Sequence, residues 1–261
     1  MKKIFLLFFI SFSFFLNAQN STKEEINTRL VDLHKVGDGN ENFAGFEQIK
    51  NEIGDAEIVM LGEQSHTDAT TFETKIKLIK YLHQEMGFEI LAFESSIYDC
   101  HKAWSMIQNG HDVKDALGKG VYAIWSTKEE LYPLYNYVQQ QLERENPLMV
   151  AGFDTQIIGK LASDHFEEDL NSYLRTFVDP SLYKKEIRQL QSLISSARVG
   201  KRISKKKTAE NIAFLEKIIP LIKNNQDDPL SDFWVQSLES HIGKIKGAKG
   251  KKIEERYFLF T

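Results

Sequence analysis

Apolar residues recur at two spacings along this chain, and the changes of spacing mark its elements. From Ser21 to Val36, Ile26, Leu30 and Leu33 fall on one helical face, and Ser21 with Glu24 forms a capping box. Gly37 to Asn42 break that pattern, and a short helix is expected over 46–53. Residues 57–61 are a short apolar run between Asp55 and Gly62, the pattern of a buried strand. Phe72, Ile76, Ile79, Leu82 and Met86 then predict an amphipathic helix over 68–86, stopped by Gly87. A second strand is expected over 89–93 and a helix over 98–107. Gly110, Gly118 and Gly120 read as breaks, and Thr127 with Glu130 caps an expected helix running to about Glu143. A third strand, 147–151, closes at Gly152.

Strands alternating with helices of this length predict an α/β fold: a mainly parallel central sheet with helices on both faces. The stretch 164–246 differs, being helical in pattern throughout with breaks near Pro180, Gly200 and Asp228-Pro229. It is expected to form a C-terminal helical insertion or lobe. The basic run of Lys201, Arg202 and Lys205 to Lys207 reads as a solvated turn between helices.

The first eighteen residues carry a different signal. Lys2 and Lys3 precede thirteen residues, Ile4 to Leu16, that are apolar except for Ser11 and Ser13, and Ala18 offers a small residue at the exit. These are the parts of a secretory signal peptide, and thirteen residues fall short of the ~20 that span a bilayer. Residues 1–18 are therefore expected to be cleaved, leaving 19–261 as an exported (periplasmic or secreted) domain. No other segment is long and apolar enough to enter a membrane. The formal charge of −4 gives no dominant basic face, which argues against a nucleic-acid partner. Cys100 is the only cysteine, so no intrachain disulfide forms.

Candidate chemistry gathers where the expected strands end. Strand 57–61 leads to Glu63 and His66, strand 89–93 to Glu94, and strand 147–151 to Asp154. Ligand crevices of parallel sheets lie at this carboxyl edge. Crowded carboxylates are costly unless they share protons, bind a cation or orient a cationic partner, and a histidine among them is held as a general base requires. Each residue also has a structural explanation: Glu63 as a helix cap, His66 as a half-buried histidine, Glu94 as the ion-pair partner of Lys75, Asp154 as a turn cap. Their joint placement favours a site. A metal-dependent variant remains open, with Glu63, His66, Glu94 and Asp154 as an oxygen-rich set with one nitrogen, suited to manganese or iron, or less typically zinc. There is no Gly-x-Ser-x-Gly elbow, no His-Glu-x-x-His zinc helix and no glycine-rich phosphate loop. Cys100 and His101 are neighbours on an expected helix and point about 100° apart. His165 and His241 read as surface histidines.

Gly62-Glu63-x-x-His66, the helix with Phe72 and Lys75, Gly87-Phe88, the strand ending in Glu94, Trp125-Ser126-Thr127-x-Glu129 and Gly152-Phe153-Asp154 together resemble the erythromycin esterase family. The resemblance implies metal- and cofactor-independent hydrolysis of an ester or lactone in a small molecule, macrolide antibiotics among them. It implies His66 as general base, Glu63 and Glu94 as the acids around it, and Asp154 and Trp125 as substrate contacts. Lys75 stands where the family commonly has arginine, keeping the charge but losing the bidentate fork. Thr67 replaces the glycine usual after the motif histidine. Family members usually continue beyond the equivalent of Thr261 into a strand with a second active-site histidine. The chain therefore reads as C-terminally truncated, with a non-catalytic binding protein as the alternative.

Overall fold

A computed structural model describes residues 43–62, 69–201, 203–225 and 227–247. The signal peptide, the helix expected over 21–36, and both Glu63 and His66 lie outside the described residues. The chain divides into two compact units at Leu61/Gly62.

In the N-terminal unit, α1 (Glu47–Ile53) follows a turn in which the Gly45 amide donates to the Glu47 carboxylate at 3.0 Å. The strand expected over 57–61 is not formed. Those residues belong to no ladder among the described residues, and Ile58 and Met60 stand 74% and 89% exposed. An apolar run becomes a strand only where a neighbour takes up its amides and carbonyls, and composition alone does not supply that neighbour.

In the second unit, α2 runs Ala69–Met86 and buries Phe72, Ile76, Ile79 and Leu82, the face the spacing predicts. Gly87 follows at φ 74°, a left-handed conformation that ends the helix at little cost, and the Phe88 amide turns back to the Leu82 carbonyl at 3.1 Å. Strand β1 (Ile90–Ser96) and strand β2 (Met149–Asp154) pair in parallel, Ile90 opposite Met149. Both run three residues beyond their expected ends. These two strands are the sheet of the described residues, and the unit is otherwise helical.

Between the strands lie α3 (Ile97–Gln108), α4 (Val113–Gly120), α5 (Ala123–Ser126), a single 3₁₀ turn (Glu129–Leu131) and α6 (Tyr132–Gln141). Helix α4 was hidden by its glycines. Asp112 caps it, and Gly120 sits at a crossing where a Cβ would come within 2.4 Å of the Ala103 Cβ. The expected cap at Thr127 is absent: its hydroxyl donates to the Ala123 carbonyl at 2.7 Å and closes α5 instead. Helix α6 starts later, with a proline in its first turn, where the missing amide costs nothing.

Two close approaches fix the strands against the helices. A Cβ on Gly152 would lie 2.5 Å from the carbonyl oxygens of both Ser95 and Ser96 and 2.9 Å from Cys100 Sγ. Cys100 is sealed there, and burial pushes its thiol well above the ordinary range. At the other end of the strands, His83 of α2 donates from Nε2 to the Asn146 carbonyl (3.1 Å), and its Nδ1 is hydrogen-bonded with the Tyr137 hydroxyl at 2.6 Å.

Residues 160–247 form α7 (Lys160–Leu174), α8 (Lys184–Arg198), α9 (Lys205–Lys223) and α10 (Ser231–Gly247), with a 3₁₀ turn at Pro180–Leu182. Helix α7 packs on α8, and α9 on α10. Their shared core centres on Phe166, Leu170, Leu190, Ile218, Trp234 and Leu238, and it reaches Tyr98 of α3. Among the described residues no helix is long and apolar enough to cross a membrane.

Candidate functional site

Site residues enter at the carboxyl ends of β1 and β2. The ladder pairs Phe93 with Gly152 and Ser96 with Asp154, so Glu94 and Ser95 together stand against the single residue Phe153. This local shift of register re-aims the strand where the candidate carboxylates emerge. Glu94 therefore lies inside β1, on an exposed position, rather than opening the loop after it. Asp154 ends β2 half-buried. Its Oδ2 accepts from Gln156 Nε2 at 2.8 Å.

Lys75 and Trp125 meet on one ring. The Lys75 ammonium lies 5.7 Å from the centroid of Phe72, one helical turn earlier on α2. Trp125, buried on α5, meets the same ring edge-to-face at 6.0 Å. Two residues far apart in sequence thus share an aromatic platform, with the cation on it. Trp125 is 7% exposed and offers this region its contact with the Phe72 ring.

Residues absent from the expected site complete its geometry. Tyr122, immediately before α5, donates its phenol to the Gln156 carbonyl at 2.8 Å, with the Asp154 carboxylate alongside. Burial, reinforced by Asp154, pushes this phenol far above its usual range, so it stays neutral and a donor. Ser96 caps α3 by accepting the Asp99 amide at 3.1 Å. Asp99 itself is 0% exposed, and its Oδ1 accepts the Ala162 amide at 2.9 Å, in the first turn of α7. Burial raises its carboxyl from an ordinary 3.8 to about 6 despite those donors. Ser96-x-x-Asp99 after an apolar strand is a capping signature legible in the sequence. The distant helix that receives the carboxylate is not.

The histidines divide. His241 is half-buried rather than a freely exposed surface residue: its Nε2 is sealed without a hydrogen-bond partner, and burial lowers the ring to about 4. It had looked polar because its helix neighbours are serines, lysines and a glutamate, but Ser237 and Ser240 are themselves buried. His165 is half-buried. His101 stacks on Phe233 at 3.8 Å, and Cys100 points elsewhere, toward the Gly120 carbonyl. A groove of about 570 Å³ between α9 and α10 is bordered by Lys223–Glu239 and Lys246–Glu216 pairs that satisfy each other. Among the described residues no three His, Cys, Asp or Glu side chains gather as a metal site, and the proposed four-ligand set draws two members from outside them.

Comparison with known proteins bears on this geometry. The chain is 30% identical over 146 residues to the protein named "Putative hydrolase YbfO" of Bacillus subtilis (strain 168), a match over 55% of this chain and 32% of that protein. It thus spans about a third of that relative's length. A solved structure titled a succinoglycan biosynthesis protein superposes with a TM-score of 0.73 at 18% identity, covering 93% of this chain and 60% of the other. A Bacillus cereus protein superposes at 0.71 and 15% identity, covering 92% and 60%. At these identities the two structures show the shared fold. The erythromycin esterase family model matches residues 83–257, taking in Glu94, Trp125 and Asp154, and the chain belongs to the erythromycin esterase family.

Proposed function

We propose that this chain is a carboxylic ester or lactone hydrolase whose site combines Glu63, His66, Glu94, Lys75, Asp154 and Trp125. The observation that carries the reading is the position of Glu94 and Asp154 at the carboxyl ends of adjacent parallel strands, within a family match and beside a relative named as a hydrolase. His66 takes a proton from water as the oxygen attacks the carbonyl carbon. The tetrahedral intermediate then expels the alkoxide, which recovers that proton from the imidazolium. Glu63 or Glu94 orients the ring, Lys75 offsets their charge or holds the oxyanion, Asp154 lines the substrate side, and Trp125 contributes to it through the Phe72 ring it backs. In this reading β1 and β2 belong to a larger parallel sheet covered by helices on both faces, the stretch 164–246 is a helical lobe, and export follows signal cleavage after Ala18.

The experiment is incubation of the purified chain with a panel of macrolides and simple esters, followed by mass spectrometry. A product heavier by one water that disappears in His66→Ala supports the mechanism. Hydrolysis that survives His66→Ala removes His66 from it. Failure across the whole panel at high enzyme concentration overturns the hydrolase reading of this chain.

A further inference from the structure

Asp99 is a buried carboxylate with no role in the hydrolysis just described, and its surroundings are built around it. It lies in the first turn of α3, directly after β1, yet its side chain crosses to the first turn of α7, which follows β2. Helix α7 has no cap of its own: Gly159 occupies the N-cap position and offers no side chain. Asp99 Oδ1 fills that role through the Ala162 amide at 2.9 Å, with the Gly159 and Leu161 amides turned to the same carboxylate. Oδ2 is sealed without a hydrogen bond. The space is exclusive. A Cβ on Gly159 would stand 2.1 Å from Asp99 Oδ1, and one on Gly120 would stand 2.9 Å from the Asp99 carbonyl oxygen.

We infer that Asp99 is a positioning residue: it clasps the start of α7 to the start of α3 and so fixes the 154–159 loop that carries Asp154 and the Tyr122–Gln156 bond. Its link to catalysis rests on Asp154 being a site residue; the clasp does not, and is tested without substrate. A carboxylate at a helix N-terminus is favoured by the amides it meets, while full burial opposes its charge. Among the described residues no cation offsets that charge. On its own helix Tyr98 and Cys100 are neutral and Lys102 pairs with Asp169. On α4 Lys119 pairs with Asp115, on α7 Lys160 pairs with Asp164, and the strands and Tyr122 segment add the acids Glu94 and Asp154 and a neutral phenol. The clasp is therefore ionised at the expense of global stability, the pattern of a group retained for geometry.

The test compares Asp99→Ala and Asp99→Asn with the parent protein by amide exchange and by thermal unfolding from pH 4 to 7. In Asp99→Ala the Ala162 amide is expected to exchange at least about tenfold faster, while amides in the middle of α7, such as Leu170, change little. Asp99→Asn keeps an acceptor oxygen and loses the charge. Its Tm advantage over the parent is expected to grow as pH rises from 4 to 6. Unchanged Ala162 exchange in Asp99→Ala overturns the clasp. Should that variant not fold, a Tm difference between Asp99→Asn and the parent that stays constant with pH overturns it equally. If activity is found, Asp99→Ala is expected to lower kcat more than it alters KM, with partial rescue by Asn.

Discussion

Ser95 Oγ accepts the backbone amide of Tyr122 at 3.0 Å, joining the end of β1 to the segment that opens α5. One hydroxyl thereby sets where the Tyr122 phenol stands relative to Asp154. Ser95 is fully buried, so Ser95→Ala leaves the amide without a replacement from solvent. Its expected cost is about 1–3 kcal/mol in urea denaturation, the penalty of an unpaired buried donor. Ser95→Thr is a poor remedy, because the added methyl has to enter a position that is 0% exposed.

Gly152→Ala is the severe substitution at this edge. Its Cβ would sit 2.5 Å from two backbone carbonyl oxygens, and backbone atoms do not swing away as a side-chain tip does. Destabilisation of about 3 kcal/mol is expected, the upper end of overpacking costs. Gly118→Ala serves as the control: nothing stands within 4 Å of its Cβ and its φ is ordinary, so it should be neutral or slightly stabilising. Chemical denaturation of the two variants side by side checks the contrast.

The pH dependence of stability holds two opposed slopes. His241 is held at about 4, below its ordinary 6.5, so the unfolded chain gains this proton first as pH falls. Its contribution is present above pH 6.5 and is lost toward pH 4, by up to about 3 kcal/mol. Asp99 is raised from 3.8 to about 6, so its contribution is full below 3.8 and is lost as pH rises through 6, by a similar amount. The parent protein is expected to show a nearly level stability between pH 4 and 6 from this pair. His241→Asn should expose a decline with rising pH, and Asp99→Asn a rise, both read from urea midpoints at four pH values.

Tyr122→Phe removes only the phenol oxygen. The Gln156 carbonyl then loses its 2.8 Å donor, and Asp154 keeps the Gln156 amide. A loss of about 1 kcal/mol is expected, with faster amide exchange confined to 154–159. Exchange that accelerates equally along β1 would show that the phenol supports the strands rather than the loop.

What the sequence made legible was what local spacing controls. Helix α2 follows from Phe72, Ile76, Ile79 and Leu82, and the close approach to β1 leaves a trace as Gly152. Helix α4 was missed because Gly118 and Gly120 weigh against a helix locally, whereas Gly120 answers to Ala103 of another helix. The run at 57–61 was misread because an apolar strand and an unpaired apolar segment look alike without their neighbours. The strand-end rule places Glu94 and Asp154 on neighbouring strands, where both stand, though β1 continues two residues past Glu94. Asp99 and Tyr122 were not found, since each acts on a residue more than thirty positions away, Ala162 and Gln156.

Cys100 gives this protein an internal clock. Its sulfur is 0% exposed beneath Gly152 and is the only thiol in the chain. A thiol reagent in the surrounding solution reaches it when the packing of β2 and α4 on α3 opens. The rate of labelling, extrapolated to excess reagent, then measures how often that junction opens, without any introduced probe. The same seal keeps this thiol out of reach of oxidants in the folded chain, so disulfide-linked dimers through Cys100 are not expected to form on storage.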